Sequence, residues 1–97
     1  MAIKDLRGKR TFITGAGSGI GRATALAAAR AGAELYLTDI NEVGLKETVA
    51  AAGSAVVKSA AFDVSDYDAV TAFAAEVHES VDSLDVVMNV AGISAWG

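Results

Sequence analysis

Along this chain the apolar positions switch between two spacings, and the switches mark out strand followed by helix four times over, with the last helix missing. A short apolar run, Thr11-Phe12-Ile13 within 10–14, has the length of a buried strand. After a glycine-rich stretch, about 20–31 is filled with strong helix formers. Helical spacing there puts Ile20, Ala23, Thr24, Ala27 and Ala31 on one face, with Gly32 as the stop. Ala33 to Thr38 reads as a second strand ending at Asp39. Asn41 then caps a second helix over about 42–52, with Leu45, Val49 and Ala52 inward and Gly53 as its end. Ala55 to Phe62 forms a third strand, closed by Asp63-Val64. Ser65-Asp66-Tyr67-Asp68 is a variant capping box, with Ser65 as the cap and an acid three residues on. The helix it opens, about 66–80, carries Val70, Phe73, Ala74, Val77 and Val81 on one stripe. Leu84 to Val90 is a fourth strand, and Ala91 to Gly97 begins a loop. Residues 1–9 are a polar lead-in with a turn at Gly8.

Alternation of this kind implies an α/β fold, a doubly wound parallel sheet with helices on both faces. Right-handed crossovers give the strand order 3-2-1-4, with the direction reversing between strands 1 and 4. Ligands of such sheets bind at the carboxyl ends of the strands, at that reversal. The glycine stretch, Asp39, Asp63 and Asn89 all fall at those ends. No proline, repeat or linker interrupts the chain, so residues 1–97 read as a single domain.

Composition narrows the partners. The net charge of −4 provides no basic patch for nucleic acid or an anionic membrane. With no cysteine there is no disulfide, no thiolate nucleophile and no Cys-based metal site. No apolar run reaches the ~18 residues of a membrane span. The first ten residues hold Lys4, Asp5, Arg7, Lys9 and Arg10, which is unlike a signal peptide, so a cytoplasmic location is expected. His78, the single histidine, and the acids Asp66, Asp68, Glu76 and Glu79 read as a solvated helix face. Trp96 lies in the final loop.

The chemistry is concentrated in Thr14-Gly15-Ala16-Gly17-Ser18-Gly19-Ile20-Gly21. A tight turn between strand and helix needs residues that tolerate positive φ, and a pyrophosphate needs backbone without a Cβ in its way. The helix start then turns unpaired N–H groups and a positive dipole end toward an anion. No Gly-Lys-Ser/Thr follows, which excludes a Walker-type phosphate loop. Asp39 lies 18 residues after Gly21, close to the spacing of an acid that holds a ribose. A carboxylate there accepts from the 2′- and 3′-hydroxyls and repels a 2′-phosphate.

The string TGxxxGxG resembles the cofactor loop of the short-chain dehydrogenase/reductase family. It assigns Gly15, Gly19 and Gly21 to the motif and leaves Gly17 as an extra glycine. The resemblance extends through all four strands and implies a Rossmann-like NAD-binding domain, incomplete at its C-terminus. By the family pattern Gly15, Ser18, Gly19 and Ile20 are cofactor-binding positions. Asp63-Val64 resembles the acid-plus-apolar pair bordering the adenine. Asn89-Val90-Ala91-Gly92 resembles the Asn-Asn-Ala-Gly element, with Val90 in place of the second Asn. Asn89, Ala91 and Gly92 are thereby expected near the cofactor, Asn89 also steadying the strand ends near Thr14.

The same resemblance implies an NAD-dependent oxidoreductase moving hydride between nicotinamide and a secondary alcohol or ketone, a homo-oligomer when complete. The family's Ser, its Tyr with a Lys four residues on, and an additional Asn have no counterpart here. Tyr36 is followed at +4 by Ile40 and Tyr67 by Thr71. The catalytic residues are therefore expected after Gly97. A non-catalytic nucleotide-binding module is the alternative. An epimerase-type relative would read TGxxGxxG, and a methyltransferase would lack TGxxxGxG.

Overall fold

The computed structural model describes residues 6–63, 65–80 and 86–90. Its elements are β1 (Arg10–Thr14), α1 (Gly19–Arg30), β2 (Glu34–Asp39), α2 (Glu42–Ala52), β3 (Val56–Ala61), α3 (Tyr67–Ser80) and β4 (Val86–Asn89). All strand pairs are parallel and the order is β3-β2-β1-β4. That is the doubly wound order expected from the alternation. A single 3-10 turn, Gly53–Ala55, replaces the start of the expected third strand.

Sequence sets most of the boundaries by local chemistry. The Asn41 side chain accepts from the Gly44 amide at 3.1 Å and so starts α2. Gly53, at the end of α2, takes a positive φ of 67°. Ahead of α3 the cap is Asp66, not Ser65. The Ala69 amide donates to the Asp66 carboxylate at 3.2 Å. Ser65 belongs instead to the preceding turn, its amide donating to the Asp63 carboxylate at 2.9 Å. An acid one residue later in the string serves as well as a hydroxyl, and its charge also suits the helix dipole.

Two cores lie on opposite faces of the sheet. On the face of α1 and α2, Ile13, Leu35, Leu37, Leu45 and Val90 pack with Ala16, Ala25, Ala28 and Ala33. On the face of α3, Tyr36 packs with Phe73 and Val77, bordered by Phe12, Ala60 and Phe62. Phe73 is the hinge of that second core. Its ring meets Phe12 edge-on at 5.3 Å and Phe62 at 5.5 Å. Such pairs add about 0.5–1.5 kcal/mol each beyond area burial. The stripe expected on α3 is the one that turns inward over the described side chains; Val81 lies outside them.

Helix α1 differs from expectation in phase. Its buried residues are Gly21, Ala25 and Ala28, whereas Ile20 is 63% exposed and Ala23 is also exposed. Alanines on every side leave no apolar contrast from which to read the phase. The phase is set by Gly21, which lies against the Gly15 carbonyl with no room for a Cβ. Strand β4 is apolar on both faces but is not buried on both. Val87, paired with Phe12, is 66% exposed. No helix among the described residues is long and apolar enough to cross a membrane.

Candidate functional site

The glycine loop leaves the carboxyl end of β1 and folds over the carboxyl end of β2. The Ala16 amide donates to the Thr38 carbonyl at 3.0 Å, so the loop is sewn to the neighbouring strand. Gly15 and Gly19 take positive φ of 67° and 55°, the left-handed region that L side chains rarely adopt. A Cβ on Gly19 would meet nothing within 4 Å. Gly19 therefore faces open space at the first turn of α1, where helix N–H groups lack intrahelical acceptors. Ser18 is the N-cap in extended conformation and makes no capping hydrogen bond with its side chain. Ser18, Gly19 and Ile20 are all exposed. Together they form an open cradle for an anion at a helix start.

Asp39 ends β2 beside that cradle. The Gly17 amide donates to its Oδ2 at 2.7 Å, and the Asn41 amide donates to its Oδ1 at 2.8 Å. Each carboxylate oxygen offers about two lone-pair sites, so one on each oxygen remains for an outside donor. That is the acceptor pattern for a vicinal diol. Two apolar side chains next to the acid, Ile40 and Val43, are each 69% exposed.

Gly17 is not a spare glycine. A Cβ there would lie 2.8 Å from Asp39 Oδ2 and 2.9 Å from the Leu45 amide nitrogen. A Cβ on Gly44 would approach the Gly17 carbonyl oxygen to 2.5 Å. Loop and α2 thus touch backbone to backbone, and both sides of the contact are glycine.

Two further residues at this junction escaped the sequence reading. Arg22, in the first turn of α1, donates from Nε to Thr48 Oγ1 at 2.9 Å. Its Nη2 donates to the Gly17 carbonyl, to the Gly44 carbonyl at 3.1 Å and to Glu47 at 3.0 Å. Thr48 is fully buried and donates to the Ala16 carbonyl at 2.7 Å. A signal for Thr48 did exist. It stands four residues after Gly44 on the inward stripe of α2, where a hydroxyl must find buried partners.

The remaining expected positions divide. Asp63 is exposed, and its carboxyl is held below the ordinary carboxylate range by hydrogen bonds from the Ser65 amide and side chain, against a smaller effect of burial. Asn89 ends β4 opposite Thr14, the register expected of a residue joining those strand ends. Val64, Ala91 and Gly92 lie outside the described residues. Tyr36, one of the two tyrosines, is removed from any chemistry at this edge. Its hydroxyl is buried under α3 with no hydrogen-bond partner among the described residues, and burial raises its pKa.

Comparison with known proteins shows the family. The family model for short chain dehydrogenases matches residues 9–97. The probable oxidoreductase EphD of Mycobacterium tuberculosis is 49% identical over 87 residues, covering 88% of this chain and 15% of its own length. The 2-keto-3-deoxy-L-fuconate dehydrogenase of Xanthomonas campestris is 45% identical over 87 residues, covering 90% of this chain and 27% of its own. The crystal structure of a 3-ketoacyl-(acyl-carrier-protein) reductase from Brucella melitensis, complexed with NADH, superposes with a TM-score of 0.78 at 30% identity. It covers 86% of this chain and 34% of that one. The chain spans about a third or less of the length of these relatives.

Proposed function

Because the chain belongs to the short-chain dehydrogenase family, we propose that it is the cofactor-binding domain of an NAD-dependent oxidoreductase acting on a secondary alcohol or ketone. The observation that carries the cofactor assignment is the Asp39 carboxylate, fixed by the Gly17 and Asn41 amides beside the open turn at Gly19. Asp39 accepts from the two ribose hydroxyls. The first turn of α1, with Ser18, Gly19 and Ile20, takes the pyrophosphate. Ile40 and Val43 lie against the adenine, and the family pattern assigns Asp63 and Val64 to its border. The same pattern assigns Asn89, Ala91 and Gly92 to the cofactor, with Ala91 and Gly92 at the ribose. The bound nicotinamide supplies the hydride acceptor.

A 2′-phosphate brought to Asp39 would meet a like charge. Two such charges about 4 Å apart repel by roughly 4 kcal/mol at an effective dielectric near 20, less what salt screens. NAD(H) is therefore preferred over NADP(H). The proton-transfer groups lie beyond Gly97 in this reading. In support, neither tyrosine has a lysine at +4, and the Tyr36 hydroxyl is buried. The reading also includes a cytoplasmic homo-oligomer with a small alcohol or ketone as substrate and neither nucleic acid nor membrane as partner.

Calorimetric titration of the full-length protein with NADH and NADPH tests the cofactor, and NADH formation from a panel of secondary alcohols tests the reaction. Tight NADH binding with turnover is expected. Binding without turnover of any alcohol would leave a nucleotide-binding module. Absence of NADH binding would overturn the assignment of the loop.

A further inference from the structure

A chain of hydrogen bonds runs from a cation to the carboxylate of the site. Arg22 Nε donates to Thr48 Oγ1 at 2.9 Å. Guanidinium has no acceptor, so this bond must use a lone pair of the hydroxyl. The single hydroxyl proton of Thr48 is left to donate, and its shorter acceptor is the Ala16 carbonyl at 2.7 Å, against 3.2 Å to Gly44. That carbonyl belongs to the Ala16–Gly17 peptide unit. The amide of the same unit donates to Asp39 Oδ2 at 2.7 Å. Direction is therefore fixed along the whole run, from Arg22 through Thr48 and the peptide to Asp39.

We propose that Arg22 and Thr48 are positioning residues for cofactor choice: they hold the Ala16–Gly17 peptide so that its amide aims the Asp39 carboxylate at the ribose diol. The inference rests on the reading of Asp39 as the ribose acid. Three features make the run more than packing. Thr48 is fully buried, so its hydroxyl has no water to exchange with. Bonds aligned in series between opposite charges polarise one another, which strengthens the last one, at Asp39. Rotation of the Ala16–Gly17 peptide would break its bonds to Thr48 and to Asp39 together, so the peptide has one orientation while Thr48 is in place. Arg22 also grips the next carbonyl, of Gly17, and the Gly44 carbonyl on α2. The acid's second oxygen is set independently by Asn41. Loss of the run thus frees one oxygen and leaves the other, which lets the carboxylate turn away from the position that excludes a 2′-phosphate.

The test compares dissociation constants for NADH and NADPH across the full-length wild type, Thr48→Val, Thr48→Ser, Arg22→Ala and Asp39→Ala. Val matches the shape of Thr and lacks only the hydroxyl. Since a hydrogen bond in a run to a charged group is at stake, the NADPH-to-NADH ratio is expected to fall about tenfold in Thr48→Val and in Arg22→Ala. Thr48→Ser restores the hydroxyl and should keep the wild-type ratio. A purely structural role predicts something different: both cofactors weaken by the same factor and the ratio stays put. That result, with Asp39→Ala still shifting the ratio, would overturn the positioning role and spare the ribose assignment. Failure of Asp39→Ala to move the ratio, or of the wild type to bind NADH, would bring down the underlying reading and this proposal with it. Should Arg22→Ala not fold, the Thr48 pair decides.

Discussion

The Gly17 amide donates to the Asp39 carboxylate at 2.7 Å across 22 residues of sequence, joining the loop after β1 to the end of β2. A glycine at this point does two jobs. Its amide reaches the acid, and the missing side chain lets α2 approach from the other side. The proposed cofactor preference and the loop geometry therefore meet in one contact.

Replacing Asp39 by Ala is expected to narrow the preference for NADH over NADPH by removing a repulsion of roughly 4 kcal/mol before screening. Two backbone amides also lose their acceptor, so stability falls by about 1–3 kcal/mol. Paired cofactor titrations and urea unfolding measure the two effects separately. Tighter NADPH than NADH binding by the unmodified protein would contradict the assignment.

Gly19 and Gly21 should separate binding from folding. Gly19→Val places a side chain into open space that the proposed function assigns to the pyrophosphate. Its left-handed backbone adds strain of about 1–2 kcal/mol. NADH affinity should be abolished while the far-UV circular dichroism keeps its helix and strand signal. Gly21→Ala drives a methyl into the Gly15 carbonyl. That overpacking should cost on the order of 3 kcal/mol and show first as a lower melting temperature.

The buried hydroxyl of Tyr36 has no partner among the described residues, so its removal should help the fold. Tyr36→Phe is expected to raise stability by about 1 kcal/mol, read by thermal unfolding. The pH dependence carries a sign. With its folded pKa raised, Tyr36 contributes stability that is present below the unfolded value of 10.0 and lost as pH climbs through the folded one. The phenylalanine variant should lose that alkaline limb.

Asp63 titrates in the opposite sense. Its folded pKa is lowered from 3.8 by the Ser65 hydrogen bonds. Its contribution is present above the unfolded value and lost as pH falls through the folded one. An NMR titration of the carboxyl carbon should place its midpoint below that of a free aspartate. Ser65→Pro, which removes the donating amide, should move the midpoint back up.

Much of this was legible in the sequence because local chemistry dictated it. Asn41 and Gly53 bracket α2 as expected, and β1 and α3 fall within a residue of their expected ends. The sheet order follows from handedness alone. What escaped was set by tertiary contact. Helix α1 offers alanine on every side, so its phase is decided by Gly21 against Gly15, a contact between residues that only the turn brings together. Arg22 looked like an ordinary charged helix residue. Apart from the Gly17 carbonyl, its partners Gly44, Glu47 and Thr48 lie on α2, beyond the whole of β2, and no periodicity points to them. Ser65 and Asp66 are both good caps, and the turn built on Asp63 settles which of them starts the helix.

The backbone contact between Gly17 and Gly44 has a consequence for anyone who would re-engineer this protein. One route to a change of cofactor would graft a new turn after β2, where the acid sits. Here that turn cannot be exchanged as an independent cassette. Any donor segment that brings a side chain at position 44 would press on the Gly17 carbonyl, and the loop would have to be redrawn with it. Positions 17 and 44 form one unit of inheritance: they must be transplanted as a pair or left alone.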